Sequence, residues 1–261
     1  DLSREKLATR MVIRLGRWLS SRPETILYNS SLSRAQHEAL GFRPDCGHVI
    51  PNGFDLKVLV PDSSKSEWAR EAMKIPGDVP VIGHVARFHP MKDHATFFRA
   101  AVKVASSVPE AHFLVIGRGV DLSEAPLRGI VPEELVSRFH CPGERSDATD
   151  LMQAMNVLCL SSAWGEAFPN VLGEAMAGGV PCVTTDVGDS AWIVGETGAV
   201  VPPGDEEAMA KGVLSLLAMS PSERRSLGGK ARIRVETHFG IDSVVEEYAS
   251  LYRGLVGGRL E

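Results

Sequence analysis

From residue 79 onward, short apolar segments of strand length alternate with segments of helical periodicity. This alternation constrains the fold more than any other feature of the chain. The predicted strands are 79–85, 112–116, 157–160, 181–184 and 198–201. The predicted helices are 94–106, 147–155, 170–177 and 206–217. Because continuous apolar strands joined by helices form a parallel sheet covered on both faces, we expect an α/β fold. Such sheets bind ligands at the carboxyl ends of their strands.

Shorter elements flank this region. Helical periodicity covers residues 1–20, and the chain begins at Asp1 as if within a helix, so we expect an upstream region. Further predicted elements are a strand at 25–30, a helix at 31–40, a strand at 48–50 with a turn at 51–53, and two helices within 221–255 that are broken near Phe239-Gly240.

The loops that follow the first two strands of the alternating region carry cations and glycines. Arg87 and Lys92 lie in one loop, and two cations there suit a diphosphate or are simply solvated. Gly117 begins Gly-Arg-Gly after the second strand, where glycine permits a close backbone approach or a turn. A third glycine of the GxGxxG pattern is missing, so the sequence does not support a dinucleotide fingerprint.

The segment after the strand 157–160 combines two carboxylates with a helix start. Glu166 lies in the loop, a helix is predicted to start near Asn170, and Glu174 follows in its first turns. The amino end of a helix favours phosphate, and carboxylates accept hydrogen bonds from vicinal sugar hydroxyls. This combination suits a nucleotide-diphospho-sugar. It is equally compatible with two glutamates on an ordinary helix whose small residues allow tight packing.

Five segments, in order and spacing, resemble the GT4 family of retaining glycosyltransferases, and Glu166 and Glu174 match the family's E-x7-E signature. The segments are IPNGFD (50–55), GHVARFHPMKDH (83–94), LVIGRG (114–119), GEAFPNVLGEAMAGGVPCVTTDVG (165–188) and TGAVVPPGD (197–205). The resemblance implies the two-lobed GT-B fold, with one complete Rossmann-like lobe and the tail of the other. It implies three parts, namely the tail of the N-terminal acceptor lobe (1–44), the nucleotide-sugar-binding domain (45–237) and a C-terminal helix that crosses back (238–261).

The resemblance also implies roles for single residues. Arg87 and Lys92 would clamp the donor diphosphate and, with Glu166 at the transferred sugar, form the catalytic set. Glu174 would bind the ribose hydroxyls.

Further donor contacts follow from the same resemblance. Gly83 would give room for the phosphates, and the loop that holds Arg145 would lie beside the base. Gly117 belongs to the same binding set. The remaining donor contacts, mostly through backbone N–H groups, would come from Phe168, Pro169, Asn170, Val171 and Leu172. None of the eight histidines is assigned a catalytic role.

Composition narrows the choice of partners. A net charge of -5 gives no reason to expect nucleic acid. The four cysteines form no CxxC pair, and Cys159 and Cys182 lie in apolar runs, so buried thiols are expected. The sequence suggests no metal site, cofactor, signal peptide or membrane span. We expect a cytoplasmic location. The basic face of the first helix (Arg10, Arg14 and Arg17) is either solvated or in peripheral contact with anionic lipid at the inner face of the membrane.

The function that the resemblance implies is transfer of a hexose, with retention, from a nucleotide-diphosphate sugar, a UDP-sugar by the family's usage, to a glycan or lipid-linked acceptor. This chain alone is expected to be inactive, because it holds little of the acceptor lobe. Two alternatives stay open at this point: a sugar-nucleotide-binding module and a sugar-nucleotide 2-epimerase-like enzyme.

Overall fold

The computed structural model describes residues 7–123 and 127–257 and contains two parallel sheets. The strands are β1 (Ile26–Tyr28), β2 (Gly47–Val49), β3 (Val81–Val85), β4 (His112–Ile116), β5 (Phe139–Gly143), β6 (Val157–Leu160), β7 (Cys182–Thr185) and β8 (Ala199–Val201). The larger sheet has six strands in the order β5-β4-β3-β6-β7-β8, and all neighbours are parallel. The α/β class predicted from the sequence is confirmed.

Helices cover both faces of this sheet. They are α1 (Leu7–Leu19), α2 (Ser31–Ala39), α3 (Ser63–Ala72), α4 (His94–Ser107), α5 (Ala148–Leu151), α6 (Asn170–Ala177), α7 (Ser190–Val194), α8 (Glu206–Leu217), α9 (Pro221–Phe239) and α10 (Ile241–Gly257). Successive residues of a strand point to opposite faces of the sheet and pack into two separate hydrophobic cores. Leu158 packs with α6, α7 and α9 on one face, whereas Val157 and Cys159 pack with α4 and α8 on the other. Because both faces are apolar, the central strands read as continuous hydrophobic runs.

The smaller sheet joins two segments that the sequence analysis assigned to different domains. β1 pairs with β2 from Ile26 opposite Gly47 to Tyr28 opposite Val49. The predicted boundary between residues 44 and 45 therefore lies between two paired strands. β2 is hydrogen-bonded to the part of the chain before that boundary, and we call the residues that precede Phe54 the first segment. The chain then enters the larger lobe at Phe54, whose N–H donates to the carbonyl of Phe239 at 2.8 Å.

Some predicted elements differ from those observed. The predicted helix 147–155 is wrong in its second half, because α5 ends at Leu151 and residues 152–154 form a 3-10 turn. The cause lies at Asn156, whose backbone N–H donates to the Val81 carbonyl at 2.7 Å and whose side chain accepts from the Val81 N–H at 2.7 Å. These bonds hold Asn156 beside β3, so the chain has to leave the helix before it.

Candidate functional site

Three loops meet at the carboxyl edge of the larger sheet, as the parallel topology requires. The Ala86 N–H donates to the Ile116 carbonyl at 2.9 Å, and the Gly117 N–H donates to the Gly143 carbonyl at 2.9 Å. A Cβ at position 117 would lie 1.9 Å from the Ala86 carbonyl oxygen, so only glycine fits there. Gly117 therefore allows the loops after β3 and β4 to lie against each other.

The loop after β3 presents its two cations differently. Arg87 is exposed and makes no hydrogen bond or ion pair with the residues that the structure describes. Lys92 ends a 3-10 turn, Pro90–Lys92, and its side chain is only 16% exposed. Asp93 follows with left-handed backbone angles (φ 43, ψ 56) and caps α4 through the Thr96 N–H at 3.3 Å.

Glu166 is the partner of Lys92. Its side chain is 8% exposed, and Oε1 accepts from both the Lys92 ammonium and the Ser162 hydroxyl, the latter at 2.5 Å. A nearly buried ion pair is tolerable only where its charges are compensated and hydrogen-bonded. The structure thus brings together two predicted site residues that are far apart in sequence, one from the loop after β3 and one from the loop after β6.

Helix α6 begins directly after this loop. Pro169 occupies its N-cap position, and no side chain caps the first turn by a hydrogen bond. Asn170 is exposed at the first helical position, Val171 is half-buried behind it, and Leu172 is fully buried. Backbone N–H groups at such a start are donors for an anion.

The aromatic side chain of Phe168 belongs to the core. Its ring stacks on Phe54 with centroids 6.2 Å apart and meets Phe239 edge-on at 5.4 Å. Phe168 and Leu172 can therefore present only backbone groups toward a ligand, as the family resemblance implies.

Glu174 lies one turn further along α6, on the same face as Asn170. It is half-buried, and its carboxylate makes no hydrogen bond or ion pair within residues 7–123 and 127–257. Burial raises the pKa of this carboxyl, because desolvation disfavours its charged form. An unpartnered and partly desolvated acceptor is suited to bind hydroxyl groups.

Two further predicted residues have local explanations. Gly83 lies in the middle of β3, where a Cβ would come within 1.8 Å of the Met155 sulfur. Met155 fills the space beside Gly83, and the place of Gly83 beside the donor phosphates stays a prediction. Arg145 is held by Asp147 in a two-pronged pair with distances of 2.8 and 2.7 Å, and its place beside a base stays a prediction.

Sequence reasoning missed several polar residues at this edge. Ser161 and Ser162 directly follow β6, and the rule that selected Glu166 could have selected them. Asp189 was missed as well. It precedes α7, yet its carboxylate accepts from the Ser31 N–H at 2.8 Å and the Leu32 N–H at 3.2 Å, at the start of α2. No local signal reveals this contact.

A cleft of about 690 Å³ borders Glu166 on the side of α1 and α2. Its walls are the faces of these two helices opposite residues 163–167 and 186–188. The cleft is open enough to admit a sugar beside the carboxylate.

Within the described residues, no three His, Cys, Asp or Glu side chains come together as metal ligands, and no helix combines the length and apolarity of a membrane span.

Two histidines lie close to the loop after β3. His84 and His94 are buried side by side with ring centroids 4.7 Å apart. Burial lowers the pKa of His94 to about 4 and that of His84 well below its ordinary value.

Comparison with known proteins agrees with this arrangement. The family described as Glycosyl transferases group 1 matches residues 79–219, which is more than half of the chain. Glycosyltransferase EpsF of Bacillus subtilis is 33% identical over 144 residues, 53% of this chain and 36% of that protein. The crystal structure of Anabaena HepE in complex with UDP and glucose superimposes with a TM-score of 0.84 at 22% identity and covers 94% of this chain and 67% of that one.

The fold and the site thus define a lobe of a GT-B glycosyltransferase. The chain belongs to the Glycosyl transferases group 1 family, of the GT4 type. A further relative, the UDP-Gal:alpha-D-GlcNAc-diphosphoundecaprenol alpha-1,3-galactosyltransferase of Escherichia coli, is 27% identical over 141 residues, 53% of this chain and 36% of that protein. The chain therefore spans little more than a third of the length of these curated relatives.

Proposed function

We propose that this chain carries the donor-binding half of a hexosyltransferase that uses a nucleotide-diphosphate sugar. The observation that carries the proposal is the cluster of Lys92, Glu166 and Ser162 at the uncapped start of α6. A cation, a carboxylate and free backbone N–H donors thus lie together at one edge of the sheet, and this combination supports recognition of a sugar diphosphate.

The reaction assigns a role to each charged group. The bond between the anomeric carbon and the diphosphate breaks, and its electron pair goes to the phosphate oxygen. Arg87, Lys92 and the N–H groups of α6 stabilise this developing charge. The acceptor oxygen forms the new bond, and the acceptor proton leaves with the diphosphate. The proposed transfer proceeds with retention, without a covalent enzyme intermediate. It is proposed to proceed without a metal, with Arg87, Lys92 and the start of α6 as the groups that stabilise the leaving diphosphate.

Glu174 and Glu166 divide the recognition of the donor. Glu174, unpartnered among the described residues and half-buried, is proposed to accept hydrogen bonds from the ribose hydroxyls. Glu166 is proposed to contact the transferred hexose where the cleft begins. Together they would fix the donor at both ends of its diphosphate.

The proposed donor is a UDP-sugar, and the proposed acceptor is a glycan or a lipid-linked sugar. Two proteins named above support this choice: the structural neighbour holds UDP and glucose, and the E. coli relative is named for UDP-Gal and a diphosphoundecaprenol acceptor. The remainder of the acceptor site is proposed to come from polypeptide outside these residues.

Peripheral contact with an anionic membrane is a second part of the proposal, and α1 supports it. The helix turns Thr9, Ile13 and Gly16 toward the protein, whereas an apolar stripe faces away from it. The stripe consists of Leu7 (72% exposed), Met11 (56%), Leu15 (59%) and Trp18 (72%), and Val12 (66%) and Leu19 (42%) are exposed next to it. Arg10, Arg14 and Arg17 lie beside this stripe. Unchanged sedimentation with phosphatidylglycerol vesicles after all three arginines are replaced by Gln would count against this contact.

The donor site is tested by calorimetric titration of the chain with UDP and GDP. We expect UDP to bind, and Arg87→Ala and Lys92→Ala each to weaken the affinity by about tenfold or more. Arg225→Ala, an exposed arginine on α9, is the matched control and should leave the affinity unchanged. Equal affinity in all variants would contradict the site, and preference for GDP would correct the base. In the full-length enzyme, release of UDP only when an acceptor is present would separate a transferase from a sugar-nucleotide 2-epimerase or a binding module.

A further inference from the structure

Ser161 is a buried serine that the proposed chemistry does not use. It is the first residue after β6 and is 0% exposed. Its hydroxyl oxygen lies 2.8 Å from the Lys92 carbonyl, 3.0 Å from the Asp93 carbonyl and 3.0 Å from Nε2 of His84. These contacts join β6, β3 and the loop that carries Lys92.

The chemistry of the three partners fixes the direction of the bonds. Carbonyl oxygens only accept, so the single Ser161 proton is shared between Lys92 and Asp93. Ser161 must then accept from His84, which carries its proton on Nε2. Burial and the neighbouring His94 lower the pKa of His84, so the ring is neutral, and its contact with Ser161 assigns the single proton to Nε2. His84 thereby orients the serine hydroxyl toward the loop.

The same short segment also binds the residue before Lys92. The Ala163 N–H donates to the Met91 carbonyl at 2.8 Å. Three consecutive carbonyls, those of residues 91, 92 and 93, therefore accept hydrogen bonds from Ser161 and Ala163. Asp93 meanwhile holds left-handed backbone angles, which are unfavourable for a residue with a Cβ and need such support.

We infer that Ser161, oriented by His84, is a positioning residue that fixes the Lys92–Asp93 backbone so that the Lys92 ammonium lies at Glu166 and at the donor diphosphate. The inference rests on the proposed function, because it assigns to Lys92 a contact with the donor. Ser161 itself contacts no substrate. Its effect on binding has to pass through Lys92.

A double-mutant cycle tests this dependence. UDP affinity is measured by calorimetry for the chain and for Ser161→Ala, Lys92→Ala and the double variant. Ser161→Ala should weaken binding about five- to tenfold when Lys92 is present and less than twofold when Lys92 is replaced by Ala. Equal weakening in both backgrounds would overturn the inference, since Ser161 would then act on stability or on another group.

A matched serine separates positioning from general destabilisation. Ser190 is also 0% exposed, and its hydroxyl donates to a backbone carbonyl, that of Val187, at 2.7 Å. Ser190→Ala should lower the unfolding free energy about as much as Ser161→Ala and leave UDP affinity unchanged. If Ser190→Ala weakens UDP binding as strongly, the inference fails. Should Ser161→Ala not fold, Ser161→Cys, which retains the volume but donates weakly, replaces it with the same expected coupling.

The two proposals fail in distinguishable ways. If UDP does not bind, or Lys92→Ala binds it as tightly as the wild type, the proposed donor site is wrong and the role of Ser161 falls with it. If Lys92→Ala weakens binding but the effect of Ser161→Ala does not depend on Lys92, the donor site stands and only the role of Ser161 is overturned.

Discussion

At the scale of single residues, the site contains two carboxylates in opposite environments. The Glu166 carboxylate has an ammonium and a hydroxyl as partners, whereas the Glu174 carboxylate has neither an ion pair nor a hydrogen bond among the described residues. A partly buried carboxylate without a hydrogen-bond partner lowers the stability of the folded protein, but it is free to accept hydrogen bonds from a ligand. The proposed ribose contact therefore predicts a conflict between stability and binding at Glu174.

Glu174→Gln should stabilise the chain at pH 7 by up to about 1 kcal/mol, because it removes a partly desolvated charge without changing shape. Burial raises the folded-state pKa of Glu174 above its ordinary 4.5, so folding favours the protonated form. The gain of the variant should therefore be present at pH 7 and vanish as the pH falls below about 4.5, where Glu174 is protonated in both states. Urea unfolding at several pH values measures this difference. UDP affinity should fall in the same variant, and a gain in both stability and affinity would refute the assigned role.

A second prediction at this scale concerns Gly173. A Cβ there would approach the Phe54 ring to 2.1 Å, and this ring stacks on Phe168 next to the site. Gly173→Ala should lower the unfolding free energy by about 1–3 kcal/mol through overpacking. Gly254→Ala, in α10 where nothing lies within 4 Å of the added Cβ, is the control and should be neutral or slightly stabilising. Equal midpoints of urea unfolding for the two variants would contradict this prediction, since the Phe54 ring would then shift without a cost in stability.

At the scale of elements, the position of α6 depends on close contact with α9. Gly179 ends the turn after α6, and its carbonyl oxygen would lie 1.9 Å from a Cβ at Gly228. The neighbouring Gly229 faces open space, with nothing within 4 Å. Two adjacent glycines of one helix thus differ only in what they face.

We therefore expect the same substitution, glycine to alanine, to change the unfolding free energy in opposite directions at these two positions. Gly228→Ala should destabilise the fold by about 1–3 kcal/mol, since backbone must move. Gly229→Ala should stabilise it by about 0.5–1 kcal/mol, since alanine loses less entropy in a helix. Denaturant midpoints of the two variants provide the measurement. A stabilised Gly228→Ala would mean that α6 and α9 are not in the close contact described.

The elements also show what the sequence could predict and what it could not. β4 and β6 were predicted because both faces of each strand are buried, which makes the run continuously apolar. β5 was missed because it lies at the sheet edge and contains Pro142 and a half-buried His140. α3 was missed because Ala69 is its only buried residue, so it lacks an apolar stripe.

For the candidate site, the sequence predicted which edge of the sheet the residues occupy but not which of them contact each other. The topology rule places Lys92 and Glu166 at one edge, but their pairing depends on β3 and β6 being neighbours in the sheet. The sequence order contains no sign of that neighbourhood. Gly83 has a neighbour that the sequence order does not reveal either, since the packing partner that requires glycine there, Met155, is remote in sequence and directly follows a turn that was predicted as helix.

At the scale of the whole molecule, few polar contacts among the described residues hold the first segment against the larger lobe. Both carboxylate oxygens of Asp189 accept backbone N–H groups at the start of α2. Asn52 adds a bond to the Asn170 side chain at 2.7 Å. Leu32, whose N–H donates to Asp189, lines the cleft beside Glu166, so the Asp189 contact helps to hold one cleft wall in place relative to the Glu166 carboxylate.

Asp189→Ala should therefore loosen the first segment without unfolding the lobe. Removing a helix cap costs about 1 kcal/mol, so amide exchange in α2 should accelerate about fivefold, while exchange in β4 and β6 stays unchanged. Hydrogen exchange followed by mass spectrometry reports each peptide separately. Asp205→Ala, which removes the cap of α8 at the Ala208 N–H, is the matched control and should accelerate α8 alone. If α2 exchanges at the wild-type rate in Asp189→Ala, the wall of the cleft is held by contacts other than this carboxylate, and the prediction is wrong.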